Sequence, residues 1–235
     1  MKKIVLITGG SRGIGAATVR QFNQHGYTVL FAYNNSALAA KQLTDELNAN
    51  GGDVHALHCN LANPDEIDGM FETIATYYKH IDVLVNNAGV SVTGLMQDLS
   101  VATFDNLWAV NARAPYLCCK AALSLLALSN SPSVVNVSSV WGLHGASCET
   151  AYGMTKHAVV GLTRSLAEEW SGCGIAVNCV CPPIVDTDMC AHLSDDDKQV
   201  FCTENNCRVY TAEQVAEDIF RLATSGETGV IKEEK

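Results

Sequence analysis

Ile4-Val5-Leu6-Ile7-Thr8-Gly9-Gly10-Ser11-Arg12-Gly13-Ile14-Gly15 opens as a run of apolar residues and breaks into a glycine-rich turn. An amphipathic stretch follows at once. Glycine is needed in such a turn for tight backbone geometry, for close approach to a pyrophosphate and for helix-on-strand packing. The start of the following helix would meet the phosphates with free N–H groups and the positive end of its dipole. Placed after a first strand, the pattern reads as a dinucleotide cradle formed by Gly9, Ser11, Arg12, Gly13, Ile14 and Gly15.

Outward from this loop, short apolar runs alternate with helical patterns. Ile4–Thr8, Tyr27–Tyr33, Val54–Cys59, Val83–Asn86, Val134–Ser138 and Ile175–Cys181 read as strands. Most are apolar throughout, as expected of strands covered on both faces. Between them lie amphipathic helices. Asn63-Pro64-x-Glu66 reads as N-cap, N1 proline and N3 acid, with Ile67, Met70, Phe71 and Ile74 as the buried stripe. Thr211-x-x-Gln214 starts a late helix with Val215, Ile219 and Leu222 inward. Repeated βα units predict an α/β fold with a doubly wound parallel sheet and right-handed crossovers. The chain reads as one domain, 1–235, with residues 186–210 as a lid segment over the substrate.

The second strand ends Ala32-Tyr33-Asn34-Asn35-Ser36. NAD-binding folds tend to place an acid there to hold the ribose 2′-hydroxyl. None is present to repel a 2′-phosphate, and Arg12 lies within reach of one. The expectation is NADP(H), with Asn34, Asn35 and Ser36 around the ribose.

The bulk numbers agree with one enzyme-sized domain. The chain has 235 residues, 48% hydrophobic and 17% charged, which is enough to build a large core. A net charge of −10 opposes nucleic acid and anionic membrane as partners. No run approaches the ~20 apolar residues of a membrane span. The ten cysteines form no C-x-x-C, and several sit in apolar runs and read as small core hydrophobes in a reducing, cytoplasmic setting. No metal site is expected. Asp195-Asp196-Asp197 after Ser194 reads as an N-capped helix start rather than a metal cluster. His144 and His192 could border a pocket, but packing or surface positions suffice for them.

The chemistry is expected around Ser139, Tyr152 and Lys156. Tyr152 and Lys156, at i and i+4, share a face if the segment is helical. An ammonium beside a phenol favours the phenolate, so the spacing predicts a tyrosine titrating below its usual ~10. The Ser139 hydroxyl would bond the same substrate oxygen. Asn111 sits in an apolar helical stretch, where a buried amide needs partners. A helix kink before Pro115 is the simpler account of it.

With the glycine loop, Asn86-Asn87-Ala88-Gly89, Asn111, Ser139 and Tyr152-x3-Lys156 in order, the chain closely resembles the short-chain dehydrogenase/reductases, from Lys3 to about Met189 and more loosely to Ile231. The resemblance implies a Rossmann-like sheet of seven parallel strands and a homotetramer or homodimer. It implies that Tyr152 donates a proton to a ketone oxygen and that Ser139 polarises the carbonyl. Lys156 would lower the tyrosine pKa and hold the nicotinamide ribose. Asn111 would support a water linked to Lys156. Asn87, Ala88 and Gly89 would line the adenine-ribose side, with Asn60 and Leu61 near the adenine and Val185 and Thr187 near the carboxamide. Pro182-Pro183 stands where the family has Pro-Gly, and the usual Gly-Gly tail is missing from the C-terminus.

The nearest broad group is the 3-oxoacyl-[acyl-carrier-protein] reductases, whose ketone is carried on a thioester. Ser129–Ser133 and Ser171–Gly174 lack the basic residues that dock the acidic carrier. A narrower resemblance, in Trp141–Glu149 and Asp186–Met189, is to reductases of a 5-aminopentanone group on elongation factor P. It makes Trp141 and Glu149 substrate residues beside Ser139 and Tyr152. Some proteins of this fold bind the dinucleotide as sensors or scaffolds without turnover, which is the non-enzymatic alternative.

Overall fold

In the computed structural model, residues 2–191, 193–204 and 207–234 are described. Seven parallel strands form one sheet in the order β3-β2-β1-β4-β5-β6-β7. The strands are β1 (Ile4–Thr8), β2 (Thr28–Tyr33), β3 (Val54–His58), β4 (Val83–Asn86), β5 (Ser133–Val137), β6 (Ala176–Cys181) and β7 (Ile231–Glu233). They alternate with α1 (Gly13–Gln24), α2 (Ala37–Ala49), α3 (Pro64–Tyr77), α4 (Val101–Trp108), α5 (Ala114–Leu126), α6 (Thr150–Trp170), α7 (Asp195–Glu204) and α8 (Ala212–Thr224).

The predicted strands are present, with ends shifted by one residue at four of them. Tyr27 falls outside β2 because its N–H closes the end of α1, donating to Phe22 O at 3.2 Å. The period-2 geometry of a strand explains the unbroken apolar runs. Ile4 and Leu6 face the layer of α3, α5 and α6, while Val5 and Ile7 face the layer of α1, α2 and α8. Both faces are dry, so every position of β1 is buried.

The helix signals also hold. Asn63 caps α3, accepting from Asp65 N at 3.1 Å, and Glu66 reaches back to Asn60 N at 2.8 Å. Thr211 and Gln214 form a full capping box on α8. Ser194 and Asp197 cap α7 reciprocally, with bonds of 3.0 and 3.1 Å. Several cysteines are core residues, as expected. Cys59, Cys118, Cys119, Cys179 and Cys181 are core residues, whereas Cys148, Cys190, Cys202 and Cys207 are half-buried and Cys173 is exposed.

The predicted kink before Pro115 takes a different form. Residues Ala109–Arg113 widen into a turn of π-helix between α4 and α5. Pro115 has no N–H to give the carbonyl four residues earlier, and single π-turns absorb such a lesion. Asn111 lies in that turn.

Strand order reverses between β1 and β4, and the carboxyl ends of the strands open into a crevice there. The residues expected to form the site gather along it.

Candidate active site

A cavity of about 900 Å³ runs along these strand ends, from the loop after β2 to α7. Gly9, Ser11, Arg12, Gly13, Ile14 and Gly15 line one side. Gly9 has φ +66°, and a Cβ there would stand 2.9 Å from the Ala88 Cα. A Cβ on Gly15 would lie 2.0 Å from the Gly9 carbonyl oxygen. Only glycine fits either place, and no side chain caps the start of α1. Amides and a bare backbone face the cavity, so the residues present fit a dinucleotide pyrophosphate.

Asn34, Asn35, Ser36, Asn60 and Leu61 line the cavity beyond β2 and β3. Asn34 Nδ2 lies 3.5 Å from Asn60 Oδ1, and no carboxylate stands among these five residues. Asn87 lines the wall but uses its side chain on the loop itself. Its Nδ2 donates to Thr8 O at 3.0 Å and Gly9 O at 3.1 Å. Thr8 Oγ1 in turn accepts from the N–H groups of Asn87 and Ala88, at 3.0 and 3.1 Å. The two strand ends on either side of the switch point are thereby locked together.

Arg12, expected to face a 2′-phosphate, has a protein partner in this structure. Its Nη1 meets Asp188 Oδ2 at 3.3 Å, bridging the glycine loop to the segment after β6. The pair is well exposed, at 61% and 75%, so it holds weakly. Thr187 and Val185 line the same edge, and Thr187 Oγ1 donates to Val185 O at 3.3 Å.

At the deep end the expected trio comes together. Tyr152 and Lys156 lie one turn apart on α6, with the Lys156 Nζ 5.6 Å from the Tyr152 ring centroid. Lys156 is 4% exposed and donates to Val137 O at 3.0 Å. Ser139, two residues beyond β5, accepts from Trp141 N at 3.2 Å and stands close enough to the phenol to pull its pKa down. Asn111 stands behind them. Its Oδ1 accepts from Val90 N at 2.8 Å, and its Nδ2 donates to Val90 O at 2.8 Å and Thr155 Oγ1 at 3.2 Å.

The titration pattern differs from the one the spacing predicts. Burial pushes the Tyr152 phenol up, well above its usual range, and Glu149 and Cys190 add to this. The Ser139 hydrogen bond pulls the other way. Lys156 does not offset the burial of the phenol, because the ammonium is itself buried and pushed down to about 8. Both groups give up water in the same wall, and each is driven toward its neutral form.

Trp141 and Glu149 line the cavity beside Ser139 and Tyr152. Glu149 accepts from Thr93 Oγ1 at 3.0 Å. Cys148 before it has φ +59°, a conformation few side chains tolerate. His144 turns to Glu233 at 2.9 Å, and His192 lies outside the described residues. Sequence reading missed Val90, Thr93, Thr155, Cys190 and Phe201.

The profile of the short chain dehydrogenase family matches residues 3–198. The 3-oxoacyl-[acyl-carrier-protein] reductase FabG of Staphylococcus aureus is 34% identical over 204 residues, covering 87% of this chain and 83% of that protein. A short-chain dehydrogenase/reductase from Serratia marcescens superposes with a TM-score of 0.90 at 28% identity, covering 98% of this chain and 95% of that one. A blue fluorescent protein from a metagenomic library, solved in complex with NADPH, superposes with a TM-score of 0.89 at 28% identity, with the same coverage. Fold, ordered motifs and match across most of the length agree: this chain belongs to the short-chain dehydrogenase family and is an oxidoreductase.

Proposed function

We propose that the protein reduces the ketone of a 3-oxoacyl thioester to a secondary alcohol with NADPH. The observation that carries this reading is the meeting of Ser139, Tyr152 and Lys156 at the deep end of a cavity whose other end is a glycine cradle. A bound nicotinamide supplies the hydride. The protein's own residues handle the oxygen. A ketone oxygen seated between Ser139 and Tyr152 receives two hydrogen bonds, and negative charge building there is stabilised by both. Tyr152 gives up its proton to that oxygen. Its raised pKa keeps it protonated at rest, and the Lys156 ammonium favours the phenolate as the proton leaves. Asn111 fixes the Val90 backbone and Thr155, and so the position of α6 against the loop after β4.

NADP(H) rather than NAD(H) is supported by Arg12, by the neutral Asn34-Asn35-Ser36 edge, and by the NADPH complex of the fluorescent relative. The thioester is supported over the amino-ketone by relatives named for the acyl-carrier substrate. Residues 186–191, 193–204 and 207–210 serve as the lid of a single domain; the rest of the expected 186–210 segment lies outside the described residues. Val101, Trp108, Tyr116 and Leu123 are exposed apolar residues on α4 and α5, which favours a homodimer or homotetramer. Free cysteines fit a cytoplasmic site, and among the described residues no helix is long and apolar enough to cross a membrane. Consumption of NADPH with acetoacetyl thioester, lost in Tyr152→Phe, is the expected result. NADPH binding without turnover of any ketone would turn the reading toward a sensor.

A further inference from the structure

α7 covers the substrate end of the cavity, and little holds it there. None of its residues is fully buried. Lys198 ties it to Asp186 at 2.9 Å, through a partner that is 69% exposed. Its apolar contact with the cavity wall is made by Phe201. The ring meets Trp141 edge to face, with centroids 5.4 Å apart and planes at 77°. Phe201 and Glu204, three residues apart on one face of α7, both line the cavity, as does Leu193 just before the helix.

Trp141 is tied to the reacting end. Its backbone N–H donates to the same Ser139 oxygen that would meet the ketone. Ser139, Tyr152, Trp141 and Phe201 line one cavity, so a carbonyl between Ser139 and Tyr152 has the Trp141–Phe201 contact on one side of it. Met189 also lines this end, but a methionine side chain bends out of the way. The Phe201 ring is rigid and can clear the Trp141 indole only by turning as a whole about its own side-chain bonds.

We propose that Phe201 is a specificity-determining residue that closes on Trp141 and limits the size of the group on one side of the ketone. Short 3-oxoacyl chains are reduced under the closed ring, and long ones must displace it. The inference rests on the reading of Ser139, Tyr152 and Lys156 as a ketone-reducing site.

The test is kcat/KM for N-acetylcysteamine thioesters of acetoacetate, 3-oxooctanoate and 3-oxododecanoate, measured on the wild type, Phe201→Ala and Phe201→Trp. The wild type favours the short chain. Phe201→Ala raises the long-to-short ratio about tenfold, equivalent to ~1.4 kcal/mol, and Phe201→Trp lowers it. Melting temperatures of both variants show whether the fold is intact. A ratio that moves less than about twofold in both folded variants would overturn the proposal. Ethyl acetoacetate, ethyl 3-oxooctanoate and ethyl 3-oxododecanoate, which carry the same acyl chains on an oxygen ester, are run in parallel. If these esters are reduced but no thioester is, the thioester reading fails while the ester series still decides the role of Phe201. If the wild type reduces neither class, both fall.

Discussion

Asn111 and Val90 exchange two hydrogen bonds of 2.8 Å, amide side chain to backbone, across 21 residues of chain. The exchange joins the π-turn between α4 and α5 to the loop that follows β4. It gives a buried side chain two well-placed partners and leaves its second N–H for Thr155 on α6. Three elements that shape the deep end of the cavity thus meet at one amide. Replacing Asn111 with Ala strands the Val90 N–H and C=O, at about 1–3 kcal/mol for each group left buried. The expected outcome is a loss of ~2–4 kcal/mol in urea unfolding and a fall in kcat of roughly tenfold, with NADPH affinity less affected. Equal stability of variant and wild type would show that water replaces the amide.

Tyr152→Phe removes the acid and keeps the ring. A positioned proton donor contributes about 10²–10⁴-fold. The variant is expected to lose that much in kcat while binding NADPH as before, judged by cofactor fluorescence. Retention of more than about a tenth of the wild-type kcat would move the proton donor elsewhere.

Lys156 carries a stability cost with a defined sign. Its folded pKa, about 8, lies below the unfolded value near ~10.4. Below pH 8 the residue is charged in both states, and the folded state bears the full penalty of burying that charge. Between about pH 8 and pH 10 the folded protein loses the proton first, so this contribution to stability rises with pH. The depression corresponds to roughly 3 kcal/mol at ~1.4 kcal/mol per unit. Lys156→Met is therefore expected to stabilise the protein at pH 7 by ~1–2 kcal/mol, part of the gain being offset by the lost bond to Val137 O. The advantage shrinks when the urea midpoints are compared at pH 9.5, and catalysis falls at both.

With NADP(H) as the proposed cofactor, Asp188 would compete with its 2′-phosphate for the Arg12 guanidinium, which it meets at 3.3 Å. Arg12→Ala is expected to raise KM for NADPH about tenfold or more and to leave KM for NADH nearly unchanged, the cost of one charge-assisted contact being ~1.5–3 kcal/mol. Asp188→Asn frees the guanidinium from a pair worth at most ~1 kcal/mol and should lower KM for NADPH by about two- to threefold. Steady-state kinetics at two salt concentrations check both, since screening weakens the effect. An unaltered NADPH-to-NADH preference in Arg12→Ala would remove Arg12 from the phosphate site.

What was legible in the chain is what local physics writes. The apolar runs, the glycine loop, the Asn63 and Thr211 caps and the one-turn spacing of Tyr152 and Lys156 depend on helix and strand periods and on turn chemistry. These act over a few residues, so the doubly wound fold, the cradle and the position of the trio follow from the sequence. Tertiary structure decided the rest. It set Arg12 against Asp188, 176 residues away, and Phe201 against Trp141. It spent the Asn87 amide on the glycine loop. It set burial against the expected lowering of the Tyr152 pKa, and burial won, because sequence spacing shows the neighbouring charge but not the desolvation that both groups share. Contacts between distant segments and the local dielectric exist only once the chain has closed on itself, and no spacing along the chain encodes either.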